Sequence, residues 1–365
     1  MKTATYGLGV LFLAVSLLLP CSYSNVAWGQ PAAGPRDAAA SAPAPINVDT
    51  SRIAVAGFSS GAYMAVQAQI AFPEMFRRAG ILAGGPYQCA EGSVTNMIER
   101  CMEGAPSQAD VKRFVQTTIR RSNNGEVGPL TELSNGIVYL LHGTADAIVK
   151  PPVAEAGMAY YTALKQQAGL ANLTIIDDNR RDFGHTFPTD LPPAPVRGQP
   201  YSKDDCKTSA PPYIGHCKFD GAKLMLTHLY PEIDSSRVVQ TGAIGKLQQV
   251  PVSGAAGSAY MEDWAFLYTP ASCLDGQRCG LLVALHGCSQ NYTAVGDNFV
   301  RLAGFNRWAD AFHVAVLYPQ TKTFAGNYGG CWDWWGYTDA NYDVRKSQQL
   351  QRITGTVMDW ILHRK

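Results

Sequence analysis

One stretch of the chain has the residue types that nucleophilic catalysis needs. Ile53-Ala54-Val55-Ala56-Gly57-Phe58-Ser59-Ser60-Gly61-Ala62-Tyr63-Met64-Ala65 reads as a short apolar strand, a Gly-x-Ser-x-Gly turn and a helix rich in small residues. A serine on such a turn sits on strained backbone, so its neighbours must be small where chain passes close to chain. Gly57 and Gly61 supply that room. A helix starting near Ser60 points backbone N–H groups and its positive dipole end at the reacting centre. Ser59 is the candidate nucleophile.

An activated serine needs a base, and the base needs a group to orient it. Residues 136–143 are apolar throughout, read as a buried parallel strand, and lead into Thr144-Ala145-Asp146. Residues 172–177 form the next expected strand, followed by a loop carrying Gly184-His185-Thr186-Phe187-Pro188. Ser59, Asp146 and His185 thus each follow a predicted strand, in the chain order Ser, Asp, His of the α/β-hydrolases. His185 is expected to take the proton of Ser59, and Asp146 to hold the imidazole tautomer and stabilise the cation that forms. Each has a blander reading when taken alone. An Asp after a strand is often a cap or turn residue, and most lone histidines are structural. His142 and His286 lie at strand ends, and His228, His313 and His363 on expected helices. His185 stands apart because it follows the strand after the Asp loop, with Gly184 giving it access.

The elements that must position these groups alternate between strand and helix. Helices are expected over residues 62–72 and 152–167, a buried strand over 79–83, and a mostly helical excursion over 89–124. The fold class is therefore α/β: an α/β-hydrolase fold with a doubly wound, mostly parallel sheet and its active groups at the carboxyl ends of the strands. Residues 192–222 are Pro-rich and form either a rim over the site or a surface connection, before a helix over 222–229. Short strands are expected over 237–240 and 265–268.

Acyl transfer also needs two backbone N–H donors for the developing oxyanion. The residue after the nucleophile, Ser60, supplies one, and a loop following another strand supplies the second. Residues 280–290 read as a fully buried strand ending in His286-Gly287-Cys288. The other His-Gly, at Gly143, already serves the acid loop, so the Cys288 N–H is the candidate second donor. In an ordinary hydrolase of this fold that strand precedes the nucleophile; here it comes long after Ser59. A helix over 298–312, a strand over 314–319 and an amphipathic helix over 343–364 follow, the last with Leu350, Ile353, Val357, Trp360 and Ile361 on one face. The next element in the usual order would be the nucleophile strand, which instead opens the domain near residue 46. A circular permutation within a single domain, residues 46–365, is expected.

Composition narrows the setting. The formal net charge is +1 and there is no basic tract, which argues against nucleic acid as a partner. Lys2, an apolar run over residues 6–19 and the small residues after it form a signal peptide, 1–29, too short for a comfortable membrane span. Residues 30–45 are Pro/Ala-rich and read as a disordered leader. A lipid anchor at Cys21 fits poorly after Pro20. A secreted or periplasmic location follows. Of nine cysteines, Cys21 leaves with the signal, so eight remain. They fall as Cys89 with Cys101, Cys206 with Cys217, Cys273 with Cys279, and Cys288 facing Cys331, although spacing does not fix connectivity. A zinc site from Cys206, His216 and Cys217 is the alternative, disfavoured in an oxidising compartment.

Gly57-Phe58-Ser59-Ser60-Gly61-Ala62-Tyr63-Met64, His142-Gly143-Thr144-Ala145-Asp146, Gly184-His185-Thr186-Phe187-Pro188, Leu285-His286-Gly287-Cys288-Ser289-Gln290 and Cys331-Trp332-Asp333-Trp334-Trp335 together resemble the extracellular poly(3-hydroxybutyrate) depolymerases, of the single-domain, circularly permuted type. That resemblance implies a triad of Ser59, Asp146 and His185, an oxyanion hole from Ser60 and Cys288, and a tryptophan of the Cys331 segment lining an ester-binding crevice. It implies a polyester or oligoester substrate, no metal and no cofactor. A monomer without a membrane span is expected. Trp332, Trp334 and Trp335 lie beside several glycines, so at least one is expected to face the cleft rather than the core. Two other readings stay open: a feruloyl or acetylxylan type of carbohydrate esterase, and a non-catalytic polymer-binding relative.

Overall fold

In the computed structural model, which describes residues 46–191 and 206–362, eight strands form one mixed sheet and two more pair beside it. In chain order the strands are β1 (Val48–Phe58), β2 (Arg78–Leu82), β3 (Ile137–Gly143), β4 (Thr174–Arg181), β5 (Phe187–Thr189), β6 (Ile214–His216), β7 (Lys246–Pro251), β8 (Met261–Thr269), β9 (Cys279–Leu285) and β10 (Val314–Thr321). The main sheet runs β4-β3-β2-β1-β9-β10-β8-β7. Every neighbouring pair from β4 to β10 is parallel, while β8 and β7 join antiparallel. Parallel strands are covered on both faces and so must be apolar throughout. Accordingly β3, β9 and β10 are buried at every residue. Alternate side chains feed opposite layers: Ala54, Ala56 and Phe58 of β1 enter one cluster, Ile53 and Val55 another. Each buried Val, Leu or Ile contributes roughly 1.5–3 kcal/mol.

Five helices matter for the site or its walls: α1 (Ser60–Ala71), α2 (Val94–Glu99), α3 (Gln108–Asn123), α4 (Pro151–Gln167) and α5 (Gly221–Leu229). All of α1 is buried, and small residues let it press against the sheet. A Cβ on Gly57 would lie 2.0 Å from the Gly61 carbonyl oxygen, and one on Gly61 would lie 2.3 Å from that of Leu285. The two glycines therefore let the turn close and seat the start of α1 on the end of β9. Gly61→Ala is expected to destabilise the fold by about 1–3 kcal/mol through overpacking against backbone. A thermal midpoint equal to that of the unaltered chain would contradict this packing.

Three element boundaries differ from the sequence reading, one through strand pairing and two through local caps. Residues 237–240 form no strand; β7 takes the sheet edge instead, pairing with β8. The expected helix over 298–312 breaks at Gly304, whose φ of 97° opens a separate helix, Phe305–Phe312. The last helix starts at Gln348 rather than 343, because the Ser347 side chain caps it by accepting from the Leu350 N–H. Leu350, Ile353 and Val357 do enter the core. The signal peptide (1–29), the leader (30–45), the 192–205 part of the Pro-rich stretch and His363 lie outside the described residues. Among the described residues no helix is long and apolar enough to cross a membrane.

Candidate active site

Ser59 occupies the turn between β1 and α1 with φ 56° and ψ −119°, a conformation that side-chain-bearing residues avoid. Its Oγ lies 2.9 Å from His185 Nε2, and His185 Nδ1 lies 2.8 Å from Asp146 Oδ2. The other oxygen, Asp146 Oδ1, accepts the Ile148 and Val149 N–H groups, each at 2.9 Å. All three side chains are buried. Three loops after β1, β3 and β4 thus bring the three sequence candidates into one hydrogen-bonded line. Backbone bonds join the last two loops: the Thr144 N–H donates to the Arg181 carbonyl and the Ala145 N–H to that of Phe183. The His185 ring rests against Phe58, with centroids 4.8 Å apart.

Gly184, given the task of access by the sequence reading, has a steric task in the structure. A Cβ there would lie 2.6 Å from the Lys207 carbonyl oxygen, so glycine is needed for a close backbone approach. The Cys206–Lys218 part of the Pro-rich stretch is a brace behind His185. The Gly184 N–H donates to the Cys206 carbonyl at 2.7 Å, Ser209 Oγ donates to the His185 carbonyl at 2.6 Å, and β6 pairs with β5. No local signal marks Ser209 for this task. Cys206 and Cys217 form a disulfide, which removes both thiols from the zinc alternative. Among the described residues no cluster could hold a metal ion.

On the opposite side, the start of α1 meets the turn after β9. Neither the Ser60 nor the Cys288 N–H donates to a protein acceptor among the described residues. The turn is held from several directions. The Gly287 N–H donates to Gln290 Oε1 at 2.7 Å, Gln290 Nε2 donates to the Pro212 carbonyl, and the Ser289 N–H donates to that of Gly329. Cys288 is bridged to Cys331. Fully buried His286 bonds the Gly287 carbonyl through Nδ1 at 2.8 Å and accepts the Thr321 N–H at Nε2. Burial pulls its pKa down to about 4, so the ring is neutral above that. The three remaining pairs, Cys89–Cys101, Cys206–Cys217 and Cys273–Cys279, are also bridged.

Removing the Cys288–Cys331 bridge (both to alanine) is expected to lower kcat on a soluble ester about ten- to a hundredfold. On the role expected for the Cys288 N–H, mispositioning it forfeits part of the roughly 10²–10³ that one oxyanion donor supplies. Removing Cys273–Cys279 is expected to lower stability alone. Equal kcat losses in the two variants would contradict a local role for the first bridge.

Trp332 corrects the sequence reading. Trp332 is 0% exposed, Trp334 5% and Trp335 8%. Trp332 does not line a crevice: its Nε1–H donates to the His286 carbonyl at 3.0 Å and its ring packs on His286. Trp334 stacks on Tyr63 with centroids 4.0 Å apart, and Trp335 meets Trp334 edge-on. The segment is not extended. Asp333 accepts the N–H groups of Gly336, Tyr337 and Thr338, folding the chain so that aromatics cover one another.

Residues 263–352 match the family model described as Esterase PHB depolymerase. A poly(3-hydroxybutyrate) depolymerase of Delftia acidovorans is 37% identical over 86% of this chain, which spans 60% of that relative's length. A polyhydroxybutyrate depolymerase of Talaromyces funiculosus is 32% identical over 91% of this chain and 96% of its own. Among solved structures, a PHB depolymerase complexed with an R3HB trimer superposes with a TM-score of 0.72 at 32% identity, covering 87% of this chain and 98% of that one. A PHB depolymerase from Penicillium funiculosum gives 0.71 at the same identity and coverage. With the fungal relative matched at that identity over nearly the full length of both sequences, the chain belongs to the polyhydroxybutyrate depolymerase family.

Proposed function

We propose that the chain is a secreted or periplasmic serine esterase that hydrolyses poly(3-hydroxybutyrate), or its oligomers, to 3-hydroxybutyrate units. The observation that carries this reading is the hydrogen-bonded line Ser59–His185–Asp146, at 2.9 and 2.8 Å, in a chain of this family. Ser59 attacks the ester carbonyl while His185 Nε2 takes its proton. Asp146 keeps the Nδ1–H tautomer and stabilises the imidazolium. The Ser60 and Cys288 N–H groups receive the oxyanion, and their lack of protein acceptors among the described residues supports that role. His185 then protonates the leaving 3-hydroxyl oxygen. Water, deprotonated by His185, releases the 3-hydroxybutyryl group from Ser59. Trp334 and Trp335 border the ester crevice beside Tyr63, and Trp332 backs the oxyanion turn.

Residues 46–365 are the catalytic domain in this reading, behind a signal peptide and leader. Its strand order supports a circular permutation. Counted from β7, the sheet runs first, second, fourth, third and then fifth to eighth, so that β9 becomes the third strand. In α/β-hydrolases the loop after the third strand supplies the second oxyanion donor, ahead of the nucleophile in the chain. Here β9 holds that place in the sheet but follows Ser59 in sequence. Four disulfides support an oxidising compartment.

The test is release of soluble acid from an amorphous poly(3-hydroxybutyrate) suspension, with feruloylated and acetylated xylans in parallel. Acid from the polyester alone is expected. Activity confined to the xylans would overturn the substrate, and no activity on any of them would favour a binding protein.

A further inference from the structure

Two buried histidines end strands just before glycine, and the chemistry above uses neither ring. His286 has bonds at both ring nitrogens. His142 does not. Its Nε2–H donates to the Val149 carbonyl at 2.8 Å and stands 3.7 Å from Asp146 Oδ2. Its Nδ1 is buried without a partner among the described residues. A stranded nitrogen costs stability, so packing alone would favour an apolar side chain here. The imidazole is explained by the nitrogen that does bond. That bond holds Val149, whose own N–H holds Asp146 Oδ1. Ile148, between them, is 39% exposed; the Val149 side chain is anchored in a buried cluster with Tyr63 and Val153, and the His142 bond adds the direction of its peptide. Asp146, Val149 and His142 therefore close a ring in which the His142 ring fixes the far end of the acid loop.

We propose that His142 is a positioning residue for Asp146: by holding the Val149 carbonyl it keeps the 148–149 amides on Oδ1 and so presents Oδ2 to His185. This rests on the triad reading. Burial holds the His142 pKa below its ordinary value, so the neutral ring keeps a single N–H, on Nε2. The ring exchanges no proton with substrate and acts through geometry.

The test is kcat and KM on a soluble 3-hydroxybutyrate oligomer for His142→Leu, His142→Gln, His142→Asn, Asp146→Asn and the His142→Leu/Asp146→Asn double variant. His142→Leu is expected to lower kcat roughly 10- to 100-fold with KM little changed, as a small misplacement of a catalytic group does. Glutamine puts its amide nitrogen where Nε2 was and should keep kcat within about threefold of the unaltered chain. Asparagine reaches only the place of Nδ1 and should behave like leucine. In the double variant the leucine should add less than about threefold to the Asp146→Asn loss, because the group it positions is gone. Unchanged kcat in His142→Leu, or full multiplication of the two losses, overturns the proposal. Should His142→Leu fail to fold, equal kcat in the glutamine and asparagine variants overturns it. An Asp146→Asn chain with unaltered kcat overturns the triad reading, and this inference with it.

Discussion

Replacing Ser59 with alanine is expected to lower turnover of a soluble 3-hydroxybutyrate oligomer about a million-fold. As the proposed nucleophile, Ser59 is the one part of the site that no neighbour can replace. Ser60 presents its Oγ to the Trp332 N–H at 3.4 Å, away from the His185 line. The residual rate should come from the oxyanion donors and from binding, which in serine hydrolases leave roughly 10³–10⁴ over water. Folding should survive, since alanine fills the same turn and loses only the hydroxyl. Oligomer binding by calorimetry, with an unchanged thermal midpoint, would separate lost chemistry from lost structure. Activity within tenfold of the unaltered chain would remove Ser59 from the reaction.

Asp146→Asn is expected to lower kcat about 10⁴-fold, an effect of tautomer rather than of fold. The asparagine carbonyl can still accept the 148 and 149 amides, as Oδ1 does now. Its amide then faces His185 Nδ1 as a donor. The imidazole must move its proton to Nε2, where it can no longer accept from Ser59. Single-turnover kinetics should show slow acylation with substrate binding retained. A loss confined to KM would contradict this role.

Ser59, Asp146 and the Cys288 turn were legible because each follows an apolar strand, whereas His185 follows the more polar β4 and was picked out by its place after the Asp146 loop. The runs at 53–58, 136–143 and 280–285 are too continuous for surface elements, and a doubly wound sheet puts functional loops at their carboxyl ends. Gly57 and Gly61 were readable for the same reason, since a Gly-x-Ser-x-Gly turn has a steric requirement that can be stated in advance. What escaped depends on contacts distant in sequence. The brace of Cys206 and Ser209 on the His185 loop has no pattern of its own. Which tryptophan the core would take was not readable, because the buried Asp333 carboxylate gathers three amides and folds the segment so that Trp332 backs onto His286. Residues 237–240 have strand-forming side chains, but β7 holds the edge position. His142 looked like any strand-end histidine until its bond to Val149 tied it to the far end of the acid loop.

The most direct measurement is acid quenching during turnover of a 3-hydroxybutyrate oligomer, followed by mass spectrometry of the peptides. A 3-hydroxybutyryl ester on the peptide carrying Ser59, absent from the Ser59→Ala chain, is the expected result. It would establish nucleophile, acyl group and covalent route together. Rapid ester cleavage with Ser59 never acylated, or with the acyl group on another side chain, would contradict the mechanism at its first step.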